Sequence, residues 1–423
     1  MLWLFLGSLF LFLFLGVPVA LSMLLSASFM LWHMDMFDAQ LIAENFVMGT
    51  NNFPLMAIPF FMLTGEIMKH GGISERIINF AMSMVGHIKG GLGYVVIISG
   101  LIFAGLSGSA VADTAALGAI LIPMMAEKNY DLARSTGLTC AAGIISVVIP
   151  PSIPMIIYGI TAGASITKLF MGGTVPGLLM VLGLWLTWKF LYRNQQDNLQ
   201  PKQTATQKWL AFKQAFWPLL LPIIIIVGLR GGIFTPTEAG VVAAIYAAVV
   251  SVMYKTLTLS KVKEVFLNTI KTTAMVMFVA AAAMISAFAI TVAQIPMELV
   301  SFIKGITDNA TILMLVIMLF LLLVGCVMDL IPAVLIFVPV LLPLLRAYNI
   351  DIAYFGIMMV INLSIGLITP PVGTVLYVGQ GISKIGIGKI AKGISPFLLV
   401  YFIILLIMCF FPEIVITPMN WLS

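Results

Sequence analysis

Apolar runs recur along the whole chain and are separated by short polar segments. Helices of about 20 apolar residues cross about 30 Å of hydrocarbon, so long runs of this kind predict membrane spans. We place nine crossings, at 2–32, 53–68, 135–162, 172–192, 216–229, 238–254, 265–290, 353–382 and 395–411. The first run lacks a basic leading segment and is too long for a signal peptide, so we interpret it as one retained transmembrane helix.

Two further apolar stretches, 91–126 and 311–345, each contain a polar break near the middle. We predict that each stretch is a re-entrant helical hairpin, which enters and leaves the membrane on the same side. Crossings 135–162 and 353–382 each contain a Pro-Pro pair. Because proline removes a helical hydrogen bond, we predict that these two crossings are broken helices.

The composition indicates an all-α polytopic membrane protein with no separate soluble domain. Of 423 residues, 61% are hydrophobic and 9% are charged, and the mean hydropathy is +1.15. The net charge of +5 does not indicate nucleic-acid binding, because basic residues in a membrane protein mark cytoplasmic loops. The predicted crossings put 17 of the 21 lysines and arginines on one side, which predicts a cytoplasmic N-terminus and an outer C-terminus.

The chain contains an internal repeat at one fixed offset, the spacing that separates Gly105 from Gly325. Without a gap, this offset also pairs the Pro-Pro pair 150–151 with the pair 370–371. It further pairs Pro123 with Pro343, Asn129 with Asn349, Asp131 with Asp351, Gly159 with Gly379, Gly173 with Gly393 and Pro176 with Pro396. An uneven number of predicted crossings separates matched positions. We therefore predict two inverted repeats, as in many alternating-access transporters.

The repeat defines the predicted organisation of the chain. We assign 1–192 to the first repeat, 193–237 to a polar cytoplasmic linker plus a connecting helix, and 238–423 to the second repeat. Segments 69–89 and 294–309 precede the two hairpins and mix charged with apolar residues. They are predicted to be amphipathic helices that lie along the two membrane interfaces.

The hairpin tips carry residues that suit the start of a helix. Ser109 aligns with Asp329 at the offset, and both residue types are good N-caps. Gly105, Gly108 and Gly325 permit a tight reversal of the chain. The helix after each tip then points its N-terminal amides toward the membrane centre, where we expect an anion to bind.

The Pro-Pro pairs predict cation ligands. Each proline lacks the amide that would bond to the carbonyl four residues earlier. The carbonyls concerned are those of Ser146 and Val147 in the first repeat and of Gly366 and Leu367 in the second. Such hard oxygen donors suit sodium when a Ser, Thr or Asp side chain at a hairpin tip lies beside them, and we expect one such site in each repeat.

Several alternatives are open at this point. Asp113 could lie near its helix start only because the helix dipole favours it, and Asn362 could form a helix-to-helix hydrogen bond instead of contacting a substrate or ion. Asp329 could be only a cap, although an ionisable group at that depth indicates function. An intramembrane enzyme is disfavoured because the three histidines lie at segment ends and none belongs to an HExxH motif. A channel would need a continuous polar pore, whereas the polar groups here cluster in two matched pockets.

Four motifs, GLSGSAVADTAALGAILIP, IPPSIPMIIYG, MDLIPAVLIFVPVLLP and TPPVGTVLYVG, resemble those of the large membrane subunit of TRAP transporters, of the DctM or SiaM type. The resemblance covers essentially the whole chain. It implies an inner-membrane importer of an organic acid, such as a C4-dicarboxylate, sialic acid or another sugar acid. It also implies an elevator mechanism, two or more co-transported sodium ions, and kinship with divalent-anion sodium symporters.

The resemblance also implies partners. We expect a small four-helix membrane subunit as a separate chain, because this chain begins directly at the large-subunit region, and a periplasmic binding protein that delivers the substrate. A stand-alone sodium/organic-anion symporter is the alternative.

The family's sites are carried over by position. One sodium would be held by the first tip and break, with Ser107, Gly108, Ser109, Ser146, Val147, Pro150 and Ser152. Another would be held by the second tip and break, with Gly325, Met328, Asp329, Gly366, Thr369 and Gly373. The substrate carboxylate would lie between them, near Ser109, Asp113, Thr114 and Asn362.

Overall fold

The computed structural model describes residues 1–193 and 202–422, and all regular secondary structure in these ranges is helical. Two 3-10 turns, Phe53–Met56 and Ile144–Val147, accompany the α-helices. The α-helices are α1 (Leu2–Phe14), α2 (Val19–His33), α3 (Ala39–Met48), α4 (Ala57–His70), α5 (Ile73–Val85), α6 (Gly91–Ser107), α7 (Ala110–Glu127), α8 (Leu132–Gly143), α9 (Ile153–Ala162), α10 (Ile166–Leu191), α11 (Ala205–Arg230), α12 (Pro236–Met253), α13 (Leu259–Val292), α14 (Ile295–Lys304), α15 (Ala310–Gly325), α16 (Leu330–Ala347), α17 (Ile352–Gly366), α18 (Thr374–Ser383), α19 (Ile387–Phe410) and α20 (Glu413–Leu422).

The helix lengths are those of a polytopic membrane protein. Within the described residues, 7 helices are long and apolar enough to cross a membrane, judged by length and composition. The number is 8 if Ala39–Met48 and Phe53–His70, which are bent by 58° relative to each other, count as one span.

The prediction of a single helix over 2–32 is wrong. The chain breaks between α1 and α2, where Gly16 has a φ of 81° and Pro18 is the N-cap of α2. The two short helices pack against each other. The uniform apolarity of the run hid this break, because Gly and Pro are frequent in membrane helices and do not by themselves end one.

The offset of the sequence repeat is also found in the helix boundaries. Helices α7 and α16 begin at Ala110 and Leu330, and α8 and α17 begin at Leu132 and Ile352. The caps of α8 and α17 are equivalent too. Asp131 accepts a hydrogen bond from the Arg134 amide at 2.7 Å, and Asp351 accepts one from the Tyr354 amide at 2.7 Å.

The two halves contact each other reciprocally. Helix α7 of the first half packs on α18 of the second, and α16, the counterpart of α7, packs on α9, the counterpart of α18. Likewise, α8 packs on α19, and α17 packs on α10. Reciprocal contacts of this kind are produced when two similar units are related by a two-fold axis. Hydrogen bonds across the halves include Tyr401 Oη to the Ala141 carbonyl oxygen at 2.8 Å.

Helix–turn–helix pairs lie over both predicted hairpins, α6 with α7 and α15 with α16, and both proline-containing crossings are interrupted as predicted. Short helices α5 and α14 fall within the two predicted amphipathic segments, and α5 packs on α6 while α14 packs on α16. The interrupted helices form the centre of the molecule, since every residue from Ser135 to Tyr158 is buried.

Two further helices differ from the predicted segments. Helix α20 follows the last predicted crossing and packs on α10, where Met419 lies against Gly172. Helix α11 begins at Ala205, so the connecting helix starts inside the predicted polar linker, whose residues 194–201 lie outside the described ranges.

Replacement of Gly356 by Ala tests the packing between the halves. A Cβ on Gly356 would overlap the ring of Tyr158, which is fully buried and donates to the Ile352 carbonyl oxygen at 2.7 Å. We expect Gly356→Ala to lower the unfolding free energy by about 1–3 kcal/mol, measured by thermal unfolding in detergent. Gly381→Ala is the control, because no atom lies within 4 Å of its Cβ position. Equal stability of the two variants would contradict the packing.

Candidate functional site

The tip of the first hairpin is a turn of two residues. Helix α6 ends at Ser107, Gly108 has a φ of 63°, and Ser109 is the N-cap of α7. The Ser109 hydroxyl accepts a hydrogen bond from the Ala112 amide at 3.4 Å, so the predicted cap is confirmed.

This tip lies directly against the first proline break. A Cβ on Gly108 would lie 2.6 Å from the Pro151 carbonyl oxygen and 3.2 Å from the Ile153 nitrogen. Glycine is therefore required here both for its conformation and for the close approach of two backbone segments. Within the break, Ser152 caps α9 by accepting from the Met155 amide at 3.3 Å. The Pro150–Pro151 peptide bond is cis, as is its counterpart Pro370–Pro371.

Asp113 is the acidic group beside this first tip. Only 3% of the residue is exposed. The Ser107 hydroxyl donates to its Oδ1 atom, and Ser146 approaches the same carboxyl group. Oδ2 of Asp113 and Oγ1 of Thr114 are buried with no hydrogen-bond partner among the described residues. A buried polar atom left unpaired costs about 1–3 kcal/mol, so both oxygen atoms retain the capacity to bind a ligand.

Residues of two other helices complete the surroundings of Asp113. Asp113 and Ser107 line a small cavity whose other wall includes Gly65 and Lys69 of α4 and Ser74 of α5. The sequence did not predict this wall, because Lys69 and Ser74 lie in segment 69–89, which was predicted to be an interfacial helix, and no spacing or motif relates these positions to Asp113.

The second tip is longer and more open. Helix α15 ends at Gly325 and α16 begins at Leu330, so four residues form the turn. Asp329 occupies the N-cap position, but its side chain forms no capping hydrogen bond and is exposed. The prediction that the Asp329 side chain caps the helix is therefore wrong, and its carboxylate is available for other contacts. Met328, beside it, is buried.

The second tip also lies against its proline break. A Cβ on Gly366 would lie 2.5 Å from the carbonyl carbon of Gly325. The Val372 amide donates to the Cys326 carbonyl oxygen at 3.3 Å, which joins the break directly to the tip. The pairing of tip and break predicted from the repeat therefore holds in both halves.

Threonines supply the side-chain hydroxyls of the second break. The Thr369 hydroxyl donates to the Ile365 carbonyl oxygen at 2.7 Å. Gly373, with a φ of 56°, is the N-cap of α18. Oγ1 of Thr374 is buried without a partner among the residues described. Thr374 was not predicted, because the offset pairs it with Pro154 and the repeat therefore gives no signal there.

The prediction that the prolines leave four carbonyls without donors is wrong for three of them. The Val147 carbonyl accepts from the Ser152 hydroxyl. The Gly366 carbonyl accepts from the Thr369 amide at 3.0 Å, and the Leu367 carbonyl accepts from the Val375 amide at 3.1 Å. Residues beside the proline pairs thus replace the missing proline amides. Each oxygen keeps a second lone pair, so a ligand role for these carbonyls stays a prediction.

Asn362 forms a helix-to-helix hydrogen bond, which was the alternative to a substrate or ion contact. Its Nδ2 donates to the Met318 carbonyl oxygen at 2.6 Å, which joins α17 to α15. The residue lines a groove with Leu322 and Cys409. Within the described residues, Asn362 forms no hydrogen bond with Ser109, Asp113 or Thr114, and its buried Oδ1 has no partner.

The two sites differ in their exposure. Ser146 and Ser152 at the first break are fully buried. At the second, Asp329, Pro370 and Pro371 are exposed, and Thr369 is half-buried. The Ile144–Val147 turn, which precedes the first break, packs against α17, the helix that leads to the second break.

Comparisons with known proteins identify the family. The DctM component of tripartite ATP-independent periplasmic (TRAP) transporters matches residues 6–414. The chain belongs to this family. It is 84% identical over 401 residues to a putative TRAP transporter large permease protein of Haemophilus influenzae, covering 95% of this chain and 100% of the relative. It is 46% identical over 420 residues to the 2,3-diketo-L-gulonate TRAP transporter large permease protein YiaN of Escherichia coli, covering 99% of each.

The fold is similar to that of a solved transporter. The YdaH transporter of Alcanivorax borkumensis aligns with a TM-score of 0.64 over 87% of this chain and 86% of that chain, at 14% identity. This likeness concerns the fold alone. Family and helices together establish a multi-pass inner-membrane permease subunit, which is a transporter and not an enzyme.

Replacement of Gly108 by Ala tests the contact between the first tip and its break. Gly163 is a matched control, since its φ of 66° is similar but no atom lies within 4 Å of its Cβ position. Both changes incur the left-handed penalty of about 1–2 kcal/mol. Gly108→Ala also creates a clash, so we expect a further loss of about 1–3 kcal/mol and impaired uptake. Thermal unfolding and uptake in proteoliposomes measure the two effects, and similar values for both variants would rule out the contact.

Proposed function

We propose that this TRAP permease imports an organic acid together with sodium ions by an elevator mechanism. The observation that supports this most is that each hairpin tip packs on its own proline break in both halves, through Gly108 with Pro151 and through Cys326 with Val372. Transporters commonly bind substrate and coupling ions where helices are interrupted near the middle of the membrane.

Oxygen atoms at both breaks support sodium as the coupling ion. In the first half, Oδ2 of Asp113 and Oγ1 of Thr114 are buried and unpaired within the described residues. In the second half, the exposed Asp329 carboxylate belongs to the tip that bonds to the break, and the Thr374 hydroxyl is buried with no partner among the described residues. Oxygen-only donors suit a hard cation. The described residues contain no group of three His, Cys, Asp or Glu that could hold a metal ion, so transition-metal transport has no support.

The reciprocal contacts between the halves support alternating access. Two units related by a two-fold axis in the membrane plane would have opposite orientations, and an exchange of their shapes would convert an inward-open state into an outward-open one. The pairs α7 with α18 and α16 with α9 are the contacts that such an axis requires. In this proposal the hairpins and broken helices move together against the remaining helices.

The first tip suits the carboxylate of the transported organic acid. Helix α7 begins there with Ser109 as its cap, and helix N-termini attract anions through their free amides and dipole. The name of one relative gives 2,3-diketo-L-gulonate, a sugar acid, as its substrate. A sugar acid is therefore the first substrate to test. C4-dicarboxylates and sialic acid are the other candidates.

We further propose that the permease works with a small membrane subunit and a periplasmic binding protein, as the name of its family, a tripartite periplasmic transporter, supports. The distribution of basic residues supports a cytoplasmic N-terminus and a periplasmic C-terminus.

Replacement of Asp329 by Ala tests sodium coupling. Loss of a charged ligand costs about 1–3 kcal/mol, so we expect the sodium concentration for half-maximal uptake to rise by about tenfold or more in reconstituted vesicles. Asp308→Ala, which removes an exposed carboxylate from the loop before α15, is the control. Unchanged sodium dependence in the Asp329 variant would remove this residue from the site.

Dependence on the binding protein distinguishes the proposal from a stand-alone symporter. Vesicles containing the permease with its small subunit should take up little free organic acid until the binding protein is added to the outside, because delivery would be part of the mechanism. A panel of radiolabelled organic acids, assayed with and without a sodium gradient, measures this requirement. Vigorous sodium-driven uptake without the binding protein would favour the stand-alone symporter.

A further inference from the structure

A basic groove lies away from the transport site, at the start of the first hairpin. It has a volume of about 660 Å³ and is formed by the loop before α6, the first turn of α6 and the end of α10. Its cations are Lys89, Lys189 and Arg193, and its wall also includes the buried Tyr94 and the exposed Phe190. All three cations are exposed.

Within the described residues, no acidic residue lines this groove and none of its three cations forms an ion pair. The helix dipole accounts for Lys189 in the last turn of α10. It does not account for Lys89, which immediately precedes the N-cap of α6, where the positive end of the dipole disfavours a cation. An external anion would remove this repulsion.

An apolar stripe leads away from the groove along α10. Leu178, Leu182, Leu186 and Phe190 follow one another at a spacing of four residues, so they share one face of the helix. All four side chains are exposed, Phe190 by 79%. A ligand held by the cations could therefore extend an apolar portion along this face.

The internal repeat shows that the fold itself does not require these cations. At the offset that relates the two halves, Lys89 corresponds to Asn309, Lys189 to Cys409 and Arg193 to Glu413. The second half thus builds the equivalent helices with neutral and acidic residues at these positions.

We propose that this groove binds the headgroup of an anionic phospholipid, with the phosphate between Lys89, Lys189 and Arg193 and the acyl chains along the exposed face of α10. Lysine and arginine beside a membrane helix attract anionic headgroups, and basic pockets between helices bind them specifically. The combination of cations with an adjoining lipid-facing stripe favours a phospholipid over a soluble phosphate.

The test measures lipid binding to the purified full-length chain. Nanodiscs of phosphatidylcholine alone, or mixed with phosphatidylglycerol, are compared by native mass spectrometry for retained lipid. The triple variant Lys89→Gln, Lys189→Gln, Arg193→Gln should bind phosphatidylglycerol roughly a hundredfold more weakly, at about fivefold per cation. The control triple Lys213→Gln, Lys263→Gln, Lys271→Gln removes three exposed cations elsewhere and should bind normally.

Further measurements distinguish a phospholipid from a soluble phosphate as the bound anion. A charge-keeping variant, Lys89→Arg with Lys189→Arg, should retain phosphatidylglycerol even if the neutral triple folds poorly, and loss of binding in it would contradict the proposal. Glycerol 1-phosphate should not displace the retained lipid, since it lacks the apolar portion. Equal retention by wild type and the neutral triple, or displacement by glycerol 1-phosphate, would overturn the assignment.

Loss of retention when the small subunit is bound would mean that a protein covers this face instead.

Discussion

A helix that is interrupted inside a membrane must find new partners for the backbone groups that the interruption releases, because lipid supplies none. Both broken helices of this permease meet that requirement locally. In the first, Ser152 donates to the Val147 carbonyl and caps α9. In the second, the Val375 amide reaches the Leu367 carbonyl, while the Val372 amide bonds to the Cys326 carbonyl of the hairpin tip. In the second half, this last bond joins the tip to the break.

The same constraint explains the small residues at the tips. Gly108, Gly325 and Gly366 permit backbone segments to approach at distances that a Cβ would prevent. Close backbone approach concentrates carbonyl, amide and hydroxyl groups in a small volume. In a surrounding of low polarity such groups interact strongly with ions, which is why the proposed sodium sites coincide with close backbone packing.

The two halves share the arrangement of hairpin tip and broken helix but differ in the exposure of the acidic residue at the tip. The first tip encloses a buried carboxyl group, Asp113, whereas the second exposes one, Asp329. Outside the central region, the groove at Lys89, Lys189 and Arg193 has no basic counterpart in the second half. The two halves therefore share a backbone pattern but differ in charge at positions that the offset pairs.

Features that depend on neighbours in the chain were determined by the sequence. Apolar runs located the helices, the fixed offset between matched glycines and prolines related the halves, and Gly108 with Ser109 marked the first tip. Features that depend on distant segments were decided by tertiary structure. Nothing local to Asn362 reveals that it bonds to Met318, and nothing near Asp113 indicates a wall formed by Lys69. A proline shows which hydrogen bond is lost, but which neighbouring residue supplies the replacement donor depends on the conformation that the break adopts in the folded chain.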